Sequence, residues 1–266
     1  MRVAFFLDSQ AGKIFCTGSF SEQRENGRRC ALIIAPFAEE MNRSRHVLSH
    51  LERSLSAAGY DVLLPDLYGT GDSEGDFRDA TLNIWRADID TVIERLGPCR
   101  ELHLFGLRAG ALLATDAVDR HPVHTLTLLH PLAEGRQQLN QMLRLRVAVN
   151  LFGEGKQGID KLKEQLDQGE TLEIAGYRLS AQLAGDLEDL SLQSMTPDGV
   201  ERVNWIELVL QHDHSLLRDS NRVIGDWSAQ GIAVKTSTVI CDQFWLTQEI
   251  ARCPAIVDRT LQLLDG

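Results

Sequence analysis

The sequence predicts an α/β protein built on a mostly parallel, doubly wound sheet. Three observations carry this. Apolar strand-like runs alternate with segments of helical spacing through most of the chain, the order that right-handed crossovers turn into parallel strands. Ala31-Leu32-Ile33-Ile34-Ala35 has no polar interruption, as in a strand covered on both faces. Gly106-Leu107-Arg108-Ala109-Gly110 sets two glycines around a tight strand-to-helix turn.

The elements follow in chain order. Residues 3–7 and 13–18 are apolar runs joined by the turn-forming residues 9–12, a hairpin. Residues 45–58 have helical spacing (Val47, Leu48, Leu51, Leu55, Ala58) and stop at Gly59. Residues 61–65 form the next strand. Thr81 is placed as the N-cap of a helix through Leu96, ended by Gly97-Pro98. Residues 102–105 lead into the glycine-flanked turn, 109–121 form the helix after it, and 126–129 the next strand. From Ala133 to Val200 the alternation lapses: an amphipathic helix over 137–152, a small hairpin over 171–179 around Ala175-Gly176, and a helix-like piece over 180–192. This block is expected to be a cap (133–200) inserted into a core of residues 1–132 and 201–266. Strands resume at 205–210 and 234–240, and a helix over 247–264 closes the chain, with Pro254 near its start.

Bulk properties narrow the function classes. The chain has 266 residues, 43% hydrophobic and 24% charged, ordinary for a globular protein. Its net charge of -11 argues against nucleic-acid binding, which needs a basic footprint. No stretch reaches the roughly 20 apolar residues of a membrane span, and Asp8 breaks the first apolar run too early for a signal-peptide core, so a cytoplasmic location is expected. Cys16, Cys30, Cys99, Cys241 and Cys253 are odd in number and lack a C-x-x-C pair, which reads as reduced, structural thiols. No cofactor and no metal site are expected, and no feature sets the oligomeric state.

Two motifs carry the functional reading. Residues 106–110 have the frame of a nucleophile elbow, G-x-S-x-G, with arginine at its centre. Asp66-Leu67-Tyr68-Gly69-Thr70-Gly71-Asp72-Ser73 is similar to the D-x-x-G-x-G-x-S loop of the α/β-hydrolase superfamily. With the run Pro36-Phe37-Ala38-Glu39-Glu40-Met41-Asn42-Arg43-Ser44-Arg45, and Phe244-Trp245 before Glu249-Ile250, the chain resembles one subfamily, the exosortase A system-associated hydrolase 2 proteins. The resemblance covers essentially the whole chain. It implies an eight-stranded α/β-hydrolase sheet and a setting of exopolysaccharide synthesis and protein sorting, with no defined substrate.

A guanidinium stays protonated and has no usable lone pair, so Arg108 cannot attack a carbonyl. The superfamily's oxyanion hole uses the N–H after the nucleophile and one from the loop after the third strand. The resemblance places these at Ala109 and at Phe37 or Ala38. Two readings of Arg108 stand: a receptor for a carboxylate, phosphate or sulfate, or an internal partner of Glu39 or Glu40. Glu40 is also a candidate general base acting on water. The triad acid falls at Asp213, in Gln211-His212-Asp213-His214-Ser215. The base position falls at Gln243, and no histidine occurs after His214, so Ser-His-Asp acyl transfer is not supported. His214 and His130 are further candidates past strand ends, and Tyr68 and Trp245 are expected to line the pocket. Two functions remain: an acyl or ester hydrolase using activated water, or a non-catalytic protein holding a small acyl or anionic ligand through Arg108.

Overall fold

The computed structural model describes residues 2–21, 27–149, 158–211, 215–247 and 249–265. Eight strands form one sheet in the order β1-β2-β4-β3-β5-β6-β9-β10: β1 (Arg2–Asp8), β2 (Lys13–Ser19), β3 (Arg29–Ile34), β4 (Tyr60–Pro65), β5 (Glu101–Leu107), β6 (Thr125–Leu129), β9 (Arg202–Val209) and β10 (Val234–Ile240). β2 runs antiparallel to β1 and β4, and every other pairing is parallel. This is the α/β-hydrolase fold.

The central strands are covered on both faces. Leu32, Ile34 and Leu104 belong to one apolar layer with Trp85 and Leu112, from helices α2 (Leu82–Leu96) and α3 (Gly110–Val118). The alternate residues Ile33, Phe105 and Leu107 join the other layer with Leu48, Leu51 and Ile256, from α1 (Glu39–Ala57) and α8 (Pro254–Asp265). Two-sided burial is why β3 reads as an unbroken apolar run. Thr81 caps α2 as expected, accepting from the Ile84 N–H at 3.2 Å.

Between β6 and β9 lie α4 (Gly135–Val149), α5 (Ile159–Asp167), the hairpin β7 (Leu172–Ile174)–β8 (Tyr177–Leu179), and α6 (Ala181–Glu188). Ala175 and Gly176 turn the hairpin with φ of 49° and 87°, the signs a two-residue type I′ turn needs. Asn42 donates to the Tyr177 hydroxyl at 2.8 Å, and Arg178 pairs with Asp76, tying this segment to the strand ends.

Several boundaries differ from expectation. α1 starts at Glu39 rather than 45, because its first turn carries Glu39 and Glu40, where the helix dipole favours acidic groups. The last helix starts at Pro254, not 247, since proline fits the first helical position and disrupts an interior one. α7 (Arg218–Ala229) was not expected; its largely polar sequence buries only Ser220, Val223 and Trp227. Cys16, Cys30 and Cys99 are free thiols, but Cys241 and Cys253 form a disulfide, their Cα atoms 6.2 Å apart. The segment after β10 folds back toward the start of α8, a proximity their spacing does not reveal.

Candidate functional site

The site sits where β3, β5 and β6 deliver their carboxyl ends, the place where open α/β sheets bind ligands. Three non-glycine residues here have left-handed backbone: Ala38 (φ 56°), Arg108 (φ 55°) and His130 (φ 41°). Such conformations cost on the order of 1–3 kcal/mol each and cluster at functional sites. The elbow turn is fully formed around Arg108. A Cβ on Gly110 would lie 2.3 Å from the Ile34 carbonyl oxygen, and one on Gly106 would lie 2.4 Å from Cα of Ala111. Only glycine permits that approach.

Arg108 points inward and is 5% exposed. Its Nη2 lies 3.3 Å from Oε1 of Glu40, its Nε 3.4 Å from Oε2, and Nη2 also donates to Oε1 of Gln141 at 3.1 Å. The guanidinium carbon stands 4.7 Å from the centre of the Trp245 ring, within cation–π range. The internal-partner reading of Arg108 thus describes its geometry, with Glu40 as the partner. Glu39 pairs instead with Arg43 at 3.3 Å.

Electrostatics follow from burial. Burial pushes the Glu40 carboxyl above the ordinary range, while Arg108 and Arg43 pull it down. Burial, then the charge of Arg108, holds His130 down at about 3. His130 Nδ1 accepts the Leu208 N–H at 3.0 Å, so in the neutral ring the proton sits on Nε2. Its ring lies 4.8 Å from that of Trp245.

Two cavities flank this cluster. One, about 350 Å³, is mostly apolar and runs between the start of α1 and the face of α4, lined by Ala38, Met142, Leu145, Ile174, Tyr177 and Trp245, with Arg43 and Arg144 also on its wall. The second, about 400 Å³, is polar and lined by Arg108, His130, Asn140, Gln141, Asp219 and Gln243, again with Arg144. Gln141 and Arg144 belong to both walls. Arg144 is exposed and pairs with no carboxylate among the described residues.

The expected site residues divide. Ala38, Glu39, Glu40, Arg108, His130, Gln243 and Trp245 gather here. Ala109 is 1% exposed and its side chain is not among the residues lining either cavity. Phe37, expected for its backbone N–H, sends its ring into the core, packed 4.9 Å from Trp85. Tyr68 is also placed elsewhere: its ring covers Gly75 and reaches Gly12, because the D-x-x-G-x-G-x-S loop turns toward β2, where Phe15 donates to the Ser73 hydroxyl at 2.8 Å. Asp213 and His214, with His212, lie outside the described residues. Gln141, Arg144 and Tyr177 were not singled out from sequence. The only available signal was arginines among apolar residues of α4.

The comparisons agree with the fold. Est1E from Butyrivibrio proteoclasticus, solved with ferulic acid bound, is 17% identical, with 98% of each chain covered and a TM-score of 0.67. Alpha/beta hydrolase domain-containing protein 10 from mouse is 14% identical, covering 99% of this chain and 98% of its own, with a TM-score of 0.64. The thioesterase domain from the curacin biosynthetic pathway is 16% identical over 100% of each chain, with a TM-score of 0.57. No protein-family model and no curated protein sequence matches the chain. At these identities the likeness establishes the fold alone.

Proposed function

We propose that this α/β-hydrolase-fold chain is a non-catalytic binding protein for a small molecule with an apolar acyl or aryl body and an anionic head. One observation carries the reading. The elbow presents Arg108, neutralised by Glu40 and roofed by Trp245, beside an apolar cavity whose wall also holds Arg144, which has no carboxylate partner among the described residues. The body of the ligand would fill the apolar cavity and its head would meet Arg144 and Gln141. Arg108, already paired, supplies the floor and a shared fraction of its charge. The residues 133–200 act as the cap that closes the apolar cavity through α4 and the β7–β8 hairpin.

Isothermal calorimetry with octanoate, dodecanoate and ferulate tests this. The expected result is affinity that rises with chain length, falls for dodecanol, and drops at least tenfold in Arg144→Ala with no change in thermal midpoint. Absence of heat from every carboxylate, or equal affinity in Arg144→Ala, would reject it.

A second reading is favoured by the raised carboxyl of Glu40: an acyl or ester hydrolase using water activated by Glu40, in the polysaccharide and protein-sorting setting that the sequence resemblance implies. Turnover of short acyl esters that vanishes in Glu40→Gln would replace the binding reading with this one.

A further inference from the structure

The amino-terminal edge of the sheet holds a second cluster, unrelated to the elbow. His103, on β5, is 3% exposed, and among the described residues neither ring nitrogen has a hydrogen-bond partner. A buried imidazole in that state is unfavourable and calls for a partner the protein atoms do not supply. The nearest carboxylate oxygen, Oε2 of Glu101, stands 3.6 Å from its Nε2. Glu101 and His103 are two residues apart on one strand, so they share a face. The ring of His124, just before β6, is 5.3 Å from that of His103.

We propose that Glu101, His103 and His124 bind a divalent transition-metal ion of the Zn²⁺ class, departing from the expectation of a metal-free chain. One ligand atom from each lies within 4.8 Å of the other two. A tetrahedral site with bonds of about 2.0–2.1 Å has ligand-to-ligand edges of roughly 3.4 Å. The Glu101–His103 separation of 3.6 Å already matches such an edge. A small rotation of His124, whose side chain is 32% exposed, closes the rest. Two imidazoles with one carboxylate suit Zn²⁺, Co²⁺ or Ni²⁺ and not the oxygen-seeking Ca²⁺ or Mg²⁺.

The surroundings are built for rigidity. His124 N–H donates to the Leu102 carbonyl at 2.8 Å, and Glu201 N–H to the His124 carbonyl at 3.0 Å, so the starts of β5, β6 and β9 are tied together. Oε2 of Glu201 lies 3.2 Å from Nδ1 of His124, the place of an outer carboxylate that orients a ligating ring. Of the neighbouring cations, Arg100 pairs with Oε1 of Glu101, the oxygen turned away from His103, which leaves Oε2 for the ion; Arg29 donates to the Ala58 carbonyl and covers the Tyr60 ring. The seven residues of β5 separate this edge from Arg108 by about 20 Å, so the ion would clip strands together and take no part in ligand binding at the elbow.

Titrating Co²⁺ and Zn²⁺ into the untagged full chain tests this. Equimolar Co²⁺ should give the visible absorption of a four-coordinate site, displaced by Zn²⁺ and unaffected by excess Mg²⁺. His124→Ala should abolish it, and Glu201→Gln should weaken binding about tenfold. Cys99→Ser and the double change His212→Ala with His214→Ala should leave it intact. His103→Ala risks misfolding, so the half-exposed His124 carries the decision. No absorption, absorption unchanged in His124→Ala, or absorption lost in either control would overturn the proposal.

Discussion

Removing the carboxylate of Glu40 should expose how much the elbow depends on its ion pair. The side chains of Arg108 and Glu40 are 6% and 10% exposed, so Glu40→Gln leaves a guanidinium buried without its counter-charge. Breaking a buried pair from one side costs about 3–5 kcal/mol. Arg108 keeps the Gln141 bond and the Trp245 face, which places the expected loss near the lower end. Glu40 also sits in the first turn of α1, adding about 0.3–1 kcal/mol from the helix dipole. A total of about 3.5 kcal/mol corresponds to a fall in thermal midpoint of roughly 7–14 °C for a chain of this size. The double variant Glu40→Gln with Arg108→Met removes the stranded charge and should recover at least about 1.5 kcal/mol. Methionine adopts the positive φ of residue 108 no more readily than arginine, so the backbone strain cancels in the comparison. Thermal unfolding followed by circular dichroism reads both. A midpoint within about 2 °C of the parent for Glu40→Gln, or strictly additive effects in the double variant, would refute the coupling.

Other consequences are as direct. His130 is held down at about 3 against an ordinary 6.5, so the unfolded chain takes up that proton first. Its contribution is complete above pH 6.5 and is lost as pH falls toward 3, by on the order of 4–5 kcal/mol; His130→Asn, which tolerates the positive φ, should show a flatter dependence of urea stability across that window, and an identical slope would contradict it. Gly110→Ala drives a Cβ to 2.3 Å from a backbone oxygen and should abolish soluble expression; a well-folded product would show that the turn is looser than described. Arg108→Ser restores a hydroxyl at the elbow but no free base, since Nδ1 of the nearby His130 already accepts the Leu208 N–H, its Nε2 carries the proton, and Gln243 stands on the adjacent wall. It should therefore show no esterase activity above background in a chromogenic ester assay, and measurable turnover would mean that another base is in place.

The fold was legible because its signals are local. Uninterrupted β3, the Thr81 cap and the flanking glycines at 106 and 110 each state a backbone requirement in one or two residues. The segments misread are those where tertiary packing decides. α7 is polar over most of its length and is helical because Val223 and Trp227 anchor it. The Cys241–Cys253 bond joins residues that only the path after β10 brings together. At the site, Glu40 and Arg108 were nominated together from motif frames 68 residues apart. Their pairing needed the structure, and Arg144 needed the orientation of α4. Tyr68 shows the opposite failure: an aromatic beside a motif reads equally as lining or core, and its partly buried ring packs over Gly75, away from both cavities.

The central claim is that a permanently charged side chain stands where this fold places its attacking hydroxyl, leaving a site that binds without acyl transfer. Intact-mass spectrometry after incubation with a fluorophosphonate tests it most directly. The account predicts an unmodified chain at full occupancy of reagent. A stoichiometric phosphonate adduct, mapped by peptide sequencing to a serine on the cavity walls, would contradict it.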